Sequence, residues 1–224
     1  NSTATLEACK RVYPSARYHV VPMGIDRQKF QPGPKDEALI KRYGLRDFTV
    51  LFVGRLAEEK GIIYLLQALK QLQDEGMTLR ALIIGDGILR KKLEAYADGN
   101  NLNSIVTFTG WIDEAELPKY YRTADVFVGP SLREAQGLVF AEALACGLPA
   151  VATGVGGIPD IVIDGETGLL VPPRSAEAIA KSLRRLHDDA GLRRRLAGSG
   201  RNHVDESFGW DSISRKYGEI FEKL

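Results

Sequence analysis

The sequence predicts a Rossmann-like three-layer α/β/α sandwich, with a doubly wound parallel sheet of about six strands at its centre. Three observations carry that expectation. Short β-branched runs alternate with stretches of helical periodicity along almost the whole chain. Most of these runs are apolar at consecutive positions, as strands covered on both faces must be. The segments that follow them hold the glycines and charges, and an open α/β sheet binds its ligand beyond the carboxyl ends of its strands.

Taken in order, "YHVV" (18–21), "TVLFVG" (49–54), "ALIIG" (81–85), "IVTFTG" (105–110), "DVFVGP" (125–130) and "PAVAT" (149–153) read as strands. "QPGPKDE" (31–37) is a turn-rich loop. Ile62, Leu65, Leu66, Leu69 and Leu72 form one helical stripe, and Leu89, Leu93 and Tyr96 begin another. Trp210, Ile213, Tyr217, Ile220 and Leu224 form a third in the tail. Asp86, in a Gly85-Asp86-Gly87 turn, and Asp113 are expected to cap the helices that follow them. Gly137 is expected to begin a helix and to leave the amides of Gly137, Leu138 and Val139 free at its positive end.

Bulk properties narrow the class. The 224 residues suffice for one large domain with a sizeable core. With 30 basic and 29 acidic residues the net charge is +1, so a general nucleic-acid or membrane-surface binder is not expected. Cys9 and Cys146 lie far apart without metal-ligand spacing and read as reduced, buried thiols of an intracellular protein. The three histidines are scattered, and no apolar run is long enough to span a membrane. The opening "NSTATLEACKRVYPSARYHVVPMGID" lacks an initiator methionine and reads as if cut from a longer protein.

The chemistry concentrates after three strands. "RLAEEKGI" places Arg55 and Lys60 between a strand and a helix, a position suited to clamping a diphosphate, although two solvated surface charges are the more ordinary reading of this stretch alone. In "WIDEAELPKYY", backbone near Ile112 can meet a base edge. In "EAQGLVFAEALACGLP" (134–149), Glu142 is the one charge between Gly137 and Cys146, and burying it unpaired would cost several kcal/mol, roughly. A glycosidase pair would hold its carboxyls roughly 5–10 Å apart across one bond. Were residues 134–142 all helical, Glu134 and Glu142 would lie roughly 12 Å apart along the axis. With Glu134 in the preceding loop, the pair suits the two ends of an elongated ligand: sugar hydroxyls at Glu134, ribose hydroxyls at Glu142 and phosphates at the amides between them. A partly exposed helix-surface glutamate is the plain alternative for Glu142.

"GRLAEEKGI", "IIGDGILRKKLE", "VTFTGWI…ELPKYYRTADVFVGPS" and "EAQGLVFAEALACGLPAVATGVGGIPDIVIDGETGLLV" together resemble the donor-binding, carboxyl-terminal half of retaining glycosyltransferases of family four, which have the GT-B fold. "VPMGIDRQKF" is similar to that family's entrance to the domain and "SFGWDSISRKYGEIFEKL" to its closing helix. The likeness runs from about Arg17 to the end, with its elements in the family's order, so residues 1–16 read as a remnant of the interdomain connection and 17–224 as the nucleotide-sugar-binding domain.

The resemblance implies that Arg55 and Lys60 bind the diphosphate of a nucleotide-sugar (UDP-, GDP- or ADP-linked) and stabilise it as it leaves. Glu134 would bind donor-sugar hydroxyls, helped by the amides of Gln136 and Gly137. The Leu138 and Val139 amides would meet phosphate, Glu142 the ribose, and backbone around Ile112 the base. Glu142 would thus be paired by ligand, or by water in its absence. The family commonly has an aromatic where Gln136 stands, a departure that bears on the choice of sugar. Transfer would retain anomeric configuration and need no cofactor or bound metal; the chain has no Asp-x-Asp motif. The acceptor, a sugar, lipid or small molecule, would be held mainly by a missing amino-terminal domain, and the isolated chain is expected to be inactive. The implied location is the cytoplasm, with any peripheral contact at the inner face of a membrane made through the missing domain. Trp210, Tyr217 and Phe221 are expected to pack mostly on the domain's own sheet, the alternative being a surface that met the missing half. A non-catalytic nucleotide-binding module and a GT-B-fold nucleotide-sugar epimerase remain the rival readings; a flavodoxin-like signalling domain would want an acidic phosphoacceptor cluster that the sequence lacks.

Overall fold

The computed structural model describes residues 2–45 and 48–222. Six strands are found among the described residues: β1 (Phe48–Val53), β2 (Leu79–Ile84), β3 (Val106–Gly110), β4 (Val126–Gly129), β5 (Ala150–Thr153) and β6 (Gly168–Val171). All pair in parallel, in the order β3-β2-β1-β4-β5-β6. The order reverses between β1 and β4, so a crevice opens at their carboxyl ends, where doubly wound sheets take their ligands.

Nine helices are described: α1 (Thr3–Val12), α2 (Glu37–Tyr43), α3 (Ile62–Asp74), α4 (Arg90–Gly99), α5 (Leu117–Thr123), α6 (Leu138–Ala145), α7 (Ala176–Asp188), α8 (Ala190–Ser207) and α9 (Trp210–Phe221). One face of the sheet packs against α3, α4 and α7 and the other against α5 and α6, while α8 contributes Leu192 and Leu196 to the first and Val204 to the second. The Ile62–Leu72 stripe forms as expected: Ile62, Leu65, Leu66, Leu69 and Leu72 are all buried, each such side chain contributing about 1.5–3 kcal/mol. β1 and β4 are buried almost throughout, which explains why their sequences do not alternate.

Several expectations need correction. Residues 18–21 are not a strand; they run alongside α9, and the lead-in segment makes its first sheet-like contact at Ile25, which bridges Gly209. The sixth strand is instead Gly168–Val171. The loop at 31–37 ends one residue early, because Asp36 caps α2 by accepting from the Leu39 amide at 3.0 Å. Asp86 does not cap α4: it accepts from the neighbouring Gly87 amide and pairs with Arg90. Asp113, three residues before the cap position of α5, instead accepts from the Ala115 amide. Cys146 is buried, and burial pushes its thiol up to about 12, whereas Cys9 is exposed.

The tail helix also differs. Ile213 is buried, but Trp210, Tyr217 and Phe221 are exposed rather than packed on the sheet. With His19, Val21, Pro22 and Met23 they line an open, largely apolar groove of about 560 Å³. Leu224 lies outside the described residues. No described helix is long and apolar enough to cross a membrane.

Candidate functional site

The loops after β1 and β4 touch, and the backbone explains how. Gly61, at φ +62°, ends a short 3-10 turn over Glu58–Lys60, and a Cβ there would stand 2.1 Å from the Pro130 carbonyl oxygen. Only glycine allows that approach. The Leu132 amide then donates to the Glu59 carbonyl at 2.7 Å. This contact brings Lys60 to Glu134: Nζ lies 2.6 Å from Oε2, with the side chains only 18% and 13% exposed. Arg55 shares the β1 loop but is 77% exposed and reaches Glu59 at 3.0 Å. Sequence reasoning therefore placed Arg55 and Lys60 on one loop correctly, while the structure brings only Lys60 into direct contact with Glu134.

Glu134 lies in the loop, not the helix. Its carbonyl accepts from the Gly157 amide at 3.1 Å. Gly156, at φ +57°, passes so close that a Cβ would lie 1.7 Å from that carbonyl oxygen. The glycine turn after β5 thus supports the β4 loop from behind. Gln136 is 4% exposed and hydrogen-bonds the backbone of Met23 through both ends of its carboxamide. Gly137 adopts φ +86° and stands at the cap position of α6 without a side-chain cap. The amides of Gly137, Leu138 and Val139 donate to no acceptor among the described residues. They form a positive helix end of the kind that stabilises an anion.

Glu142 lies within α6, and a buried phenol from α5 is its partner in the protein. The Tyr121 hydroxyl donates to Oε2 at 2.8 Å. Tyr121 is fully buried, its ring edge-on to Phe30 and tilted against Phe127, each at 6.0 Å between centroids. Burial raises the Glu142 carboxyl above its ordinary value; the Tyr121 hydrogen bond opposes this, Glu114 adds to it and Lys29 opposes it. Burial, reinforced by the neighbouring carboxylate, also raises Tyr121 well above an ordinary phenol, so it remains a donor. One carboxylate oxygen is accounted for by the phenol, and the other has no protein partner among the described residues. The sequence reading missed Tyr121 because "KYYRTADVF" presents two adjacent tyrosines that both read as core.

Beyond β1, β2 and β3, Val53, Ile84, Ile112 and Leu117 form a pocket of about 270 Å³ with Gly54, Gly85 and the exposed Trp111; Arg55 and Asp86 complete its rim. It can take a flat ring, with polar backbone at its edge. The arrangement therefore offers an apolar slot, cationic and amide groups for an anion, and two acceptor-only carboxylates for hydroxyls.

Comparison with known proteins identifies the fold and the family. Residues 36–203 match the family described as glycosyl transferases group 1. The D-inositol 3-phosphate glycosyltransferase of Streptomyces bingchenggensis is 36% identical over 213 residues, which are 90% of this chain and 47% of that protein. The sucrose-phosphate synthase structure from Thermosynechococcus elongatus superposes with a TM-score of 0.88 at 33% identity, covering 100% of this chain and 57% of that one. The Anabaena HepE structure in complex with UDP and glucose superposes with a TM-score of 0.89 at 25% identity, covering 100% of this chain and 62% of that one. The chain spans about half the length of the curated relatives it matches. Its sheet and helices are one half of a GT-B fold, and the chain belongs to the group 1 glycosyl transferases.

Proposed function

We propose that this chain binds the nucleotide-sugar donor of a retaining glycosyltransferase. The observation that carries the reading is the contact between the β1 and β4 loops, which sets the Lys60–Glu134 pair beside the free amides at the start of α6. A donor laid across this rim puts its base in the Ile112 pocket, its ribose at the open oxygen of Glu142 and its diphosphate between Arg55, Lys60 and the amides of Leu138 and Val139. Its sugar then meets Glu134 and the amides of Gln136 and Gly137. HepE, solved with UDP and glucose, supports this class of ligand.

The chemistry follows from charge. As the glycosidic bond to phosphate breaks, negative charge grows on the diphosphate, and preorganised cations and amides favour that state over the ground state. Lys60, released from Glu134 as the sugar hydroxyls take over the carboxylate, is free to follow the phosphate. No bound metal is required by this arrangement. The acceptor is held by an amino-terminal domain outside this chain, so the chain alone binds donor without transferring sugar.

Calorimetric titration with UDP, GDP and ADP and with their glucose or mannose conjugates tests the reading. One base family is expected to bind, more tightly than its nucleoside. Absence of binding by all three would overturn the reading, and sugar transfer by the chain alone would overturn the division of labour. Epimerisation of a bound nucleotide-sugar would instead establish the rival isomerase.

A further inference from the structure

Gln136 is held in both directions by one distant residue. Its Oε1 accepts from the Met23 amide at 3.0 Å, and its Nε2 donates to the Met23 carbonyl at 3.1 Å. The side chain is buried and all of its pairing is directed away from the rim, toward a backbone 113 positions earlier. Met23 belongs to a stretch without strand partners, whose next anchor is the Ile25 amide on the Phe208 carbonyl at 2.8 Å. Gln136 itself sits between Glu134 and Gly137, at the junction of the loop carboxylate and the free amides of α6. Lys60 and Gly157 also clamp this loop, but both belong to loops at the carboxyl ends of neighbouring strands, β1 and β5. The carboxamide alone among these clamps ties it to the lead-in segment, where Met23 faces the apolar groove beside Trp210 and Tyr217.

We propose that Gln136 is a positioning residue: its two-way pairing with Met23 couples the lead-in segment to the loop that carries Glu134, so that displacing the segment misplaces the carboxylate that grips the donor sugar. The proposal rests on the donor reading above. An apolar side chain at this position would fill the volume but leave the Met23 amide and carbonyl without their partner. The loop would then sample the binding arrangement only part of the time, and apparent affinity falls by that fraction.

The test uses Gln136→Met, similar in length but without donor or acceptor, and Gln136→Glu, which keeps an acceptor for the Met23 amide and sets a carboxylate against the Met23 carbonyl. Hydrogen exchange reports the Met23 amide. Calorimetry compares UDP with UDP-glucose, GDP with GDP-mannose, or ADP with ADP-glucose, whichever pair the wild-type chain binds. In Gln136→Met the Met23 amide is expected to exchange at least tenfold faster, with faster exchange at Gly157, whose amide donates to the Glu134 carbonyl. Affinity for the sugar conjugate should fall about tenfold while the diphosphate loses less than about threefold. Gln136→Glu should retain part of the Met23 protection. Met23 exchange unchanged in Gln136→Met, or equal losses for the two ligands, would overturn the coupling. Should the wild-type chain bind none of the three pairs, the donor reading falls, and coordinated exchange at Met23 and Gly157 still decides whether the segments are coupled.

Discussion

Replacing Tyr121 with phenylalanine removes a single oxygen and isolates the strongest interaction made by Glu142. The ring stays, with its contacts to Phe30 and Phe127, so packing is largely preserved. A hydrogen bond to a charged group contributes about 1.5–3 kcal/mol, and Glu142, only partly buried, can recruit water in its place, so the expected loss is about 1–2 kcal/mol. In a chain of this length that lowers Tm by about 2–8 °C. The pH dependence gives the sharper check. Burial raises the folded-state carboxyl, so ionising Glu142 costs folded stability as pH rises through its folded value, and the phenol reduces that cost. The deficit of Tyr121→Phe should therefore be small at acid pH, where Glu142 is protonated, and grow to a plateau once the group ionises. Urea unfolding of both proteins from pH 4 to 8 measures it. A deficit that is absent, or independent of pH, would refute the pairing as the source of the stabilisation.

Other outcomes follow from the same geometry. Lys60→Met leaves Glu134 unpaired in a mostly buried setting and should cost about 2–3 kcal/mol, partly recovered in Lys60→Met/Glu134→Gln, as urea midpoints would show. In calorimetry, Lys60→Ala should weaken nucleoside diphosphate far more than nucleoside, and equal losses would remove the phosphate assignment. Glu142→Gln relieves the desolvated charge, so unfolding at pH 7 should shift to higher stability by about 0.5–2 kcal/mol while ribose-containing ligands bind less well. Gly156→Ala forces a Cβ into the Glu134 carbonyl at a left-handed position and should abolish sugar-nucleotide binding in the same titration. A thiol reagent should label Cys9 in the native chain and reach Cys146 only after unfolding.

The sheet was legible where burial made whole runs apolar. "TVLFVG" and "PAVAT" are strands because each face meets helices, and the Ile62–Leu72 stripe was unambiguous because its five residues occupy one helical face. The sequence offers "YHVV" as a strand and does not single out "GLLV", for a physical reason. Both are short and β-branched or apolar, but only the second finds a neighbour, β5, and pairing depends on the tertiary surroundings rather than on composition. The site was legible in its residue types and in their order after successive strands. Its interior wiring was not. Tyr121 meets Glu142 across two helices, Gln136 meets Met23 from 113 positions away, and neither contact leaves a local pattern. Trp210 and Tyr217 show the converse failure: helical periodicity identified their face without revealing that these two stay uncovered while Ile213 is buried.

The central claim is that loops from β1, β3 and β4 grip one nucleotide-sugar along a single rim. The most direct measurement is the change in backbone amide NMR shifts as the chain is titrated with UDP-glucose, GDP-mannose and ADP-glucose. The account predicts that at least one of these ligands moves Ile112, Gly137, Leu138 and Val139 together, with the Lys60 and Glu134 side-chain environments changing in the same titration. Shifts confined to the outer faces of α7 and α8, or none with any of the three ligands, would contradict it.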